Sequence, residues 1–193
     1  WMRLPPAVRQ RFSKRVQAGD SVVYAGILTE IFMSRPGRWL SHALRLLGAP
    51  LPVRCDVDVP SIVTVTEDGA TGGQNWTRLY ANRQGFPQTI NSSKRFSGPT
   101  GLEEYIGFGI SMALRVLVEA DALVFRSHAY RWKLGLLRLS LPRWLWPGVL
   151  TVRHEEITPD RFRFSMVLEH PRLGVLLRQV GEYEEDQRCV AMC

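Results

Sequence analysis

The chain has 193 residues, 45% hydrophobic and 22% charged, which fits one globular domain with a sizeable core and excludes a disordered or low-complexity protein. No apolar run reaches the roughly 18 residues that a membrane-crossing helix needs, and no secretory leader is recognisable. The formal charge is +7, and of 25 basic residues only Lys14, Lys94 and Lys133 are lysine.

That charge is uneven. Residues 1–54 hold nine Arg or Lys against Asp20 and Glu30, whereas residues 154–193 hold five Arg against eight acids. Such asymmetry can orient a protein on an anionic surface, although a solvated basic face is the simpler reading. Cys55, Cys189 and Cys193 form neither a paired framework nor a metal-ligand spacing, so a reducing, cytoplasmic compartment is expected.

In chain order, LPPAVRQRFSKRVQAGD predicts a short basic helix after Pro5-Pro6, ending near Gly19. DSVVYAGILTEIFM reads as a long strand. RPGRWLSHALRLLG places Trp39, Leu40, Ala43, Leu44 and Leu47 at helical spacing, closed by Gly48 and Pro50. Arg38 and Arg45 flank this apolar stripe, which suits docking on a sheet or lying on a membrane.

From Val57 onward the pattern is antiparallel. SIVTVTE and NWTRLYANR alternate around a hairpin tip at residues 69–73, and FPQTINSSKRF follows as a further strand. After SGPTG, the runs GFGISMALRVLVE and ALVFRSHAYRWK meet at Ala120-Asp121. LTVRHEEI and RFRFSMVLE form another hairpin, and LLRQVGEYEE is the last strand. The expected fold is α+β and mostly antiparallel. It is a curved sheet or partial barrel of about eight strands with one main amphipathic helix, residues 1–193 forming a single β-rich pocket domain.

The segment SHAYRWKLGLLRLSLPRWLWPG, residues 127–148, holds Trp132, Trp144 and Trp146 with four cations and no carboxylate; the acid-free run spans residues 122–154. Strand alternation places Val124, Arg126, His128, Tyr130 and Trp132 on one face, with Phe125, Ser127, Ala129, Arg131 and Lys133 on the other. A cavity shared by Trp76, Arg78, Tyr80, His128, Tyr130 and Trp132 offers aromatic walls and a few polar groups, as small-molecule sites do.

In that cavity His128 is the candidate acid/base group, and Tyr130 a candidate donor to a carbonyl. Arg78 and Arg115 are candidates for stabilising negative charge. Trp76, Tyr80, Trp132, His154 and Glu156 are candidate ligand contacts, His154 and Glu156 sharing one strand face. The simpler reading makes all of these satisfied strand polars, with arginine stems covering apolar surface.

The proline-bounded RWLW reads as a corner capping the sheet or as an interfacial membrane foot. Arginines interleaved with aromatics can hold nucleic acid, but these aromatics occupy β-core positions and no binding motif accompanies them, which argues against that partner. Glu103-Glu104 and Glu155-Glu156 are adjacent pairs whose members face opposite sides of a strand, so neither is a carboxylate dyad. The four histidines lack metal-ligand spacing, and no GxSxG or P-loop occurs. No metal and no cofactor is therefore expected.

WTRLY, SLPRWLWP and RFRFSMVLEHPRLGVLLRQVGEYE, in that order, resemble a bacterial family of domains of unknown function. Its members stand alone or follow a saccharopine-dehydrogenase-like reductase domain. The likeness covers residues 26–184, carried by Trp76, Arg78, Pro142, Phe162, Phe164, Pro171, Gly174 and Gly181. It implies a β-rich domain and no reaction, and makes a reductase a candidate partner. GFGISM has Met112 where a dinucleotide fingerprint needs its third glycine, so the chain supplies no dinucleotide-binding half.

The expected function is binding of an apolar or amphipathic small molecule of the lipid, polyketide or terpenoid class. Conversion of that ligand, if it occurs, is expected to be cofactor-free cyclase, isomerase or lyase chemistry. The alternative is a non-catalytic interaction module that docks to a reductase partner or an anionic membrane surface, peripheral to the membrane.

Overall fold

The computed structural model describes residues 1–13, 16, 19–47, 51–97 and 101–185. The expected closure of the second helix by Gly48 and Pro50, and the cysteines Cys189 and Cys193, lie outside the described residues. Eleven strands are described: β1 (Ser21–Met33), β2 (Val59–Asp68), β3 (Gly73–Tyr80), β4 (Gln88–Phe96), β5 (Leu102–Gly107), β6 (Ile110–Glu119), β7 (Ala122–Leu134), β8 (Leu137–Ser140), β9 (Val149–Glu156), β10 (Arg161–His170) and β11 (Gly174–Glu185). Ten of them form a ring, β1-β2-β3-β4-β5-β6-β7-β9-β10-β11, which the β1–β11 pairing closes. Each neighbouring pair is antiparallel, and β8 hangs on the end of β7 outside the ring.

The mostly antiparallel expectation holds, but the curved sheet or partial barrel of about eight strands is corrected to a closed ten-strand barrel with one extra strand. The strand LEEYIG was hidden by its adjacent carboxylates Glu103 and Glu104. The turn was hidden too. Gly107, Phe108 and Gly109 all have positive φ and join β5 to β6, so GFG belongs to a hairpin tip rather than to a strand. At the other hairpin, β2 ends at Asp68 and β3 begins at Gly73, with Gly72 at φ 67°. Full closure removes the open sheet edges that invite aggregation.

Two α-helices meet this barrel, α1 (Pro6–Ser13) and α2 (Arg35–Leu44). Leu4 and Val8 join the barrel's main apolar cluster, and the Phe12 ring lies 5.7 Å from Phe125 and 4.9 Å from His154. Thus α1 packs against the inner side of the wall. Helix α2 is capped by Ser34, whose hydroxyl accepts from Gly37 N at 3.2 Å while Ser34 N donates to Leu176 O at 3.0 Å. A side chain at Gly37 would run into the Leu176 carbonyl, so glycine sets how closely α2 approaches β11.

The buried stripe of α2 also differs from the expected one. Gly37 and Ser41 are buried, Leu40 and Leu44 pack on the core, and Trp39 is 79% exposed. The helix crosses the sheet through small residues, which turns Trp39 to the outer side.

Candidate ligand cavity

Alternation along the ring divides the wall into two surfaces. Val63 and Val65 of β2, Leu150 and Val152 of β9, and Phe162 and Phe164 of β10 face an interior cavity of about 140 Å³. The outer wall carries ion pairs, including Arg163–Glu182 at 2.9 Å and Arg161–Glu184 at 3.1 Å. An apolar lumen inside a charged wall is the reverse of a membrane-spanning barrel, which is apolar outside. Among the described residues no helix is long and apolar enough to cross a membrane.

Of the nine residues singled out from sequence, Trp76, Arg78, Tyr80, Tyr130 and His154 line this cavity. The other four do not. His128 was expected on the Tyr130 face, but the β6–β7 register shifts there: Ala113 pairs with Ala129 and Leu114 with Ser127, leaving His128 as the extra residue of a bulge. Phe125 lines the cavity before the bulge and Tyr130 after it, so the inward phase changes from odd to even numbers across His128. Burial and the charges of Arg115 and Arg131 lower the His128 pKa. Arg115 is exposed and away from the lumen.

Trp132 is corrected as well. It is 39% exposed, with Nε1 donating to Phe108 O at 3.1 Å. Arg131, assigned to the opposite face of β7, is half-buried and donates to Glu103 at 2.6 Å. Glu156 lies near Arg11 but does not line the cavity. Tyr130 reaches inward, yet its hydroxyl donates to Gly148 O at 3.0 Å and lies 3.3 Å from Ser127 Oγ. Ser127 Oγ in turn accepts from Leu150 N at 2.9 Å. Tyr130 therefore ties β7 to β9 with the hydroxyl that was assigned to a ligand carbonyl. Burial raises its pKa.

The charged centre of the cavity was missed except for Arg78. Glu104 Oε1 accepts from Ser92 Oγ at 2.7 Å and from Arg78 Nη2 at 3.2 Å, and lies 3.8 Å from Lys94 Nζ. All four residues line the lumen. Burial alone would raise the Glu104 pKa, but Lys94, Arg78 and Ser92 outweigh it and hold the carboxyl below its usual range. Burial lowers Lys94 to about 8, with Arg78 adding to that effect and Glu104 opposing it. The Lys94 ammonium lies 4.0 Å from the Trp76 ring centroid and 6.0 Å from that of Phe125. Lys94 alternates with Ile90 and Ser92 along β4, a pattern visible in TINSSKRF once that strand is given its inner face.

A second polar group sits among aromatics. His154 is 1% exposed, stacks on Phe162 at 4.5 Å and meets Arg11 Nη1 through Nε2 at 3.4 Å. Burial, with the Arg11 charge second, lowers its pKa to about 3, so the ring is neutral. Arg11 lies over the other aromatic partner, its guanidinium 4.2 Å from the Phe162 centroid. Near the last stretch of the wall, Tyr80 hydrogen-bonds Gln179, whose Oε1 has no partner among the described residues.

The proline-bounded corner closes part of this space. Trp146 packs 5.4 Å from Tyr130 and donates through Nε1 to Leu141 O at 2.8 Å, and Pro147 lines the cavity. Trp144, two residues earlier, is 79% exposed. The arrangement can hold an apolar molecule against aromatic and aliphatic walls, with Lys94, Arg78 and Glu104 fixing one polar end.

No curated protein and no solved structure matches the chain. The model of one family, a domain of unknown function (DUF4166), matches residues 4–183. That span takes in α1, every strand of the closed ring up to the last two residues of β11, and every residue of the charged cluster, and the chain belongs to the DUF4166 family.

Proposed function

We propose that the barrel binds an apolar or amphipathic small molecule of the lipid, polyketide or terpenoid class in its lumen. The observation that carries this reading is the cavity itself: a mostly apolar interior, flanked by α1 and the Trp146 corner, with one compact ion cluster in its wall. A core serving stability alone is served as well or better by apolar residues in place of a buried ion cluster. Any conversion of the ligand is cofactor-free, of cyclase, isomerase or lyase type, and centres on Lys94, Glu104 and Arg78 rather than on His128 or Arg115.

Native mass spectrometry of freshly purified protein tests the binding, since a retained ligand adds mass that denaturation releases. Val152→Phe narrows the lumen and should weaken an apolar fluorescent probe about tenfold while leaving the fold intact. Equal probe binding by both proteins would remove the lumen as the site.

A second reading has its own observation. The two-residue Gly135-Leu136 turn joins β7 to β8, and Leu136, Leu137, Leu139, Trp144 and Leu145 are all exposed, beside Lys133, Arg138 and Arg143. Exposed leucine and tryptophan interleaved with cations, in a stretch without acids, suit an anionic membrane surface. Peripheral docking there would bring the barrel to an amphipathic ligand's source. A reductase partner, implied by the resemblance alone, would act on the same ligand.

A further inference from the structure

We propose that Lys94 captures a ligand carbonyl, an aldehyde or ketone on an apolar body, as an imine inside the barrel. This rests on the reading of the lumen as a ligand site, and deepens it by naming the reacting group.

The choice of residue is the first argument. Of 25 basic residues 22 are arginine, so this chain reaches for a guanidinium nearly everywhere it needs a cation. A forked guanidinium would also hold a carboxylate better than an ammonium does. Lys94 nevertheless lines the lumen, whereas Lys133 is exposed and Lys14 lies outside the described residues. An amine differs from a guanidinium in one chemically decisive way, because it can shed its proton and become a nucleophile.

Placement is the second. Trp76 and Phe125 bracket the Nζ atom, and Arg78, bonded to the same carboxylate oxygen, adds a neighbouring positive charge. Desolvation and a nearby cation both favour the neutral amine. With its pKa near 8, roughly a tenth of Lys94 is neutral at pH 7, against far less for an ordinary lysine.

Glu104 supplies the proton traffic. It lies 3.8 Å from Nζ and is held ionised by Arg78, so it can accept a proton from the ammonium. The freed lone pair adds to the carbonyl carbon, forming the C–N bond while the C=O π pair moves to oxygen. Proton transfer from nitrogen to oxygen through Glu104 gives the carbinolamine. A second transfer expels the oxygen as water while the nitrogen lone pair forms C=N. Ammonium plus carbonyl becomes protonated imine plus water, with nothing oxidised or reduced and Glu104 returned to its carboxylate. Such an imine is an electron sink that needs no cofactor.

Decanal at low concentration with cyanoborohydride tests this on the whole chain, read by intact mass and peptide mapping, with decanol as the unreactive analogue. The expected result is one decyl group per chain on Lys94, a labelling rate that rises through about pH 8, and protection by decanol. Lys94→Arg should abolish the adduct; Lys94→Met should do the same, and its retained melting transition shows that the loss is not unfolding. If decanol binds but Lys94 stays unlabelled, or labels no faster than Lys133, the imine fails and the cavity reading stands. If decanoate binds far more tightly than decanal without an adduct, Lys94 is an anion clamp and the proposal is overturned. If neither decanal nor decanol binds, the cavity reading fails with it.

Discussion

Glu103 and Glu104 are sequence neighbours that serve opposite sides of one wall. Glu103 meets Arg131 at 2.6 Å on the outer face, and Glu104 meets Arg78 at 3.2 Å inside the lumen. The extended backbone of β5 enforces this split, because successive side chains point to opposite faces. Both carboxylates are almost fully buried, so each relies on charged partners, Arg131 for Glu103 and Lys94 with Arg78 for Glu104.

Arg131→Ala should therefore destabilise the protein, by about 2 kcal/mol, since it strips the main charge partner from a buried carboxylate. Arg131→Ala with Glu103→Gln should recover part of that loss. Urea denaturation of the two variants decides it; an unchanged midpoint in Arg131→Ala would show that the other partners of Glu103, Ser111 at 3.5 Å among them, suffice.

His154 gives the stability a pH dependence of known sign. A histidine in the unfolded chain titrates near 6.5, whereas the folded one titrates near 3. Between those values the unfolded state binds the extra proton, so the contribution is fully present above about pH 6.5 and is lost as the pH falls toward 3. His154→Phe keeps the aromatic stack and removes this slope. From about pH 7 to about pH 4.5 the parent protein should lose on the order of 2 kcal/mol more than the variant. Parallel stability curves would mean that His154 is not held neutral.

Trp76 inside the lumen and Trp132 outside it should behave differently. Trp76 is 8% exposed and supports Lys94, so Trp76→Ala should cost about 3 kcal/mol and enlarge the lumen. Trp132 is half-exposed and its indole bonds the Phe108 turn outside the lumen, so Trp132→Ala should cost about 1 kcal/mol and leave probe binding unchanged. Equal losses would contradict this placement.

How far the sequence reached follows from where its periodicity is regular. The inward set Trp76, Arg78 and Tyr80 was legible because β3 alternates without interruption beside a clear Asp-Gly turn. On β7 the same rule failed at His128, because a one-residue bulge inverts every face beyond it and leaves no mark in composition. Closure was illegible for a different reason. It depends on the β1–β11 and β6–β7 pairings, the first of which joins residues some 150 positions apart. Lys94 was overlooked because a lone lysine in a polar-looking run reads as surface, although its rarity among arginines was a usable signal.

His128→Ala tests the bulge directly. With the imidazole outside the lumen beside Arg115 and Arg131, the variant should bind the apolar probe like the parent protein and lose less than about 1 kcal/mol. Probe binding that falls tenfold would return His128 to the site.

The leucine hairpin makes the last prediction. Leu136 at its tip is fully exposed and its neighbours Leu137 and Leu139 are open to solvent, so little of the fold rests on them. Vesicles containing phosphatidylserine should bind the protein, and neutral phosphatidylcholine vesicles should bind it much more weakly, because Lys133, Arg138 and Arg143 add about 1 kcal/mol each near an anionic surface. Rising salt should weaken that binding, as the Debye length shrinks from about 10 Å at 0.1 M toward 3 Å at 1 M. Leu136→Asp should reduce it about tenfold or more without shifting the melting temperature, since it places a carboxylate where an apolar tip would insert. The basic residues 1–54 supply a control: if charge alone drives adsorption, Leu136→Asp and Leu136→Ser will differ only by one charge, and both will bind at low salt. Loss of binding in Leu136→Ser as well identifies insertion of the hairpin, and binding unchanged in both variants excludes it.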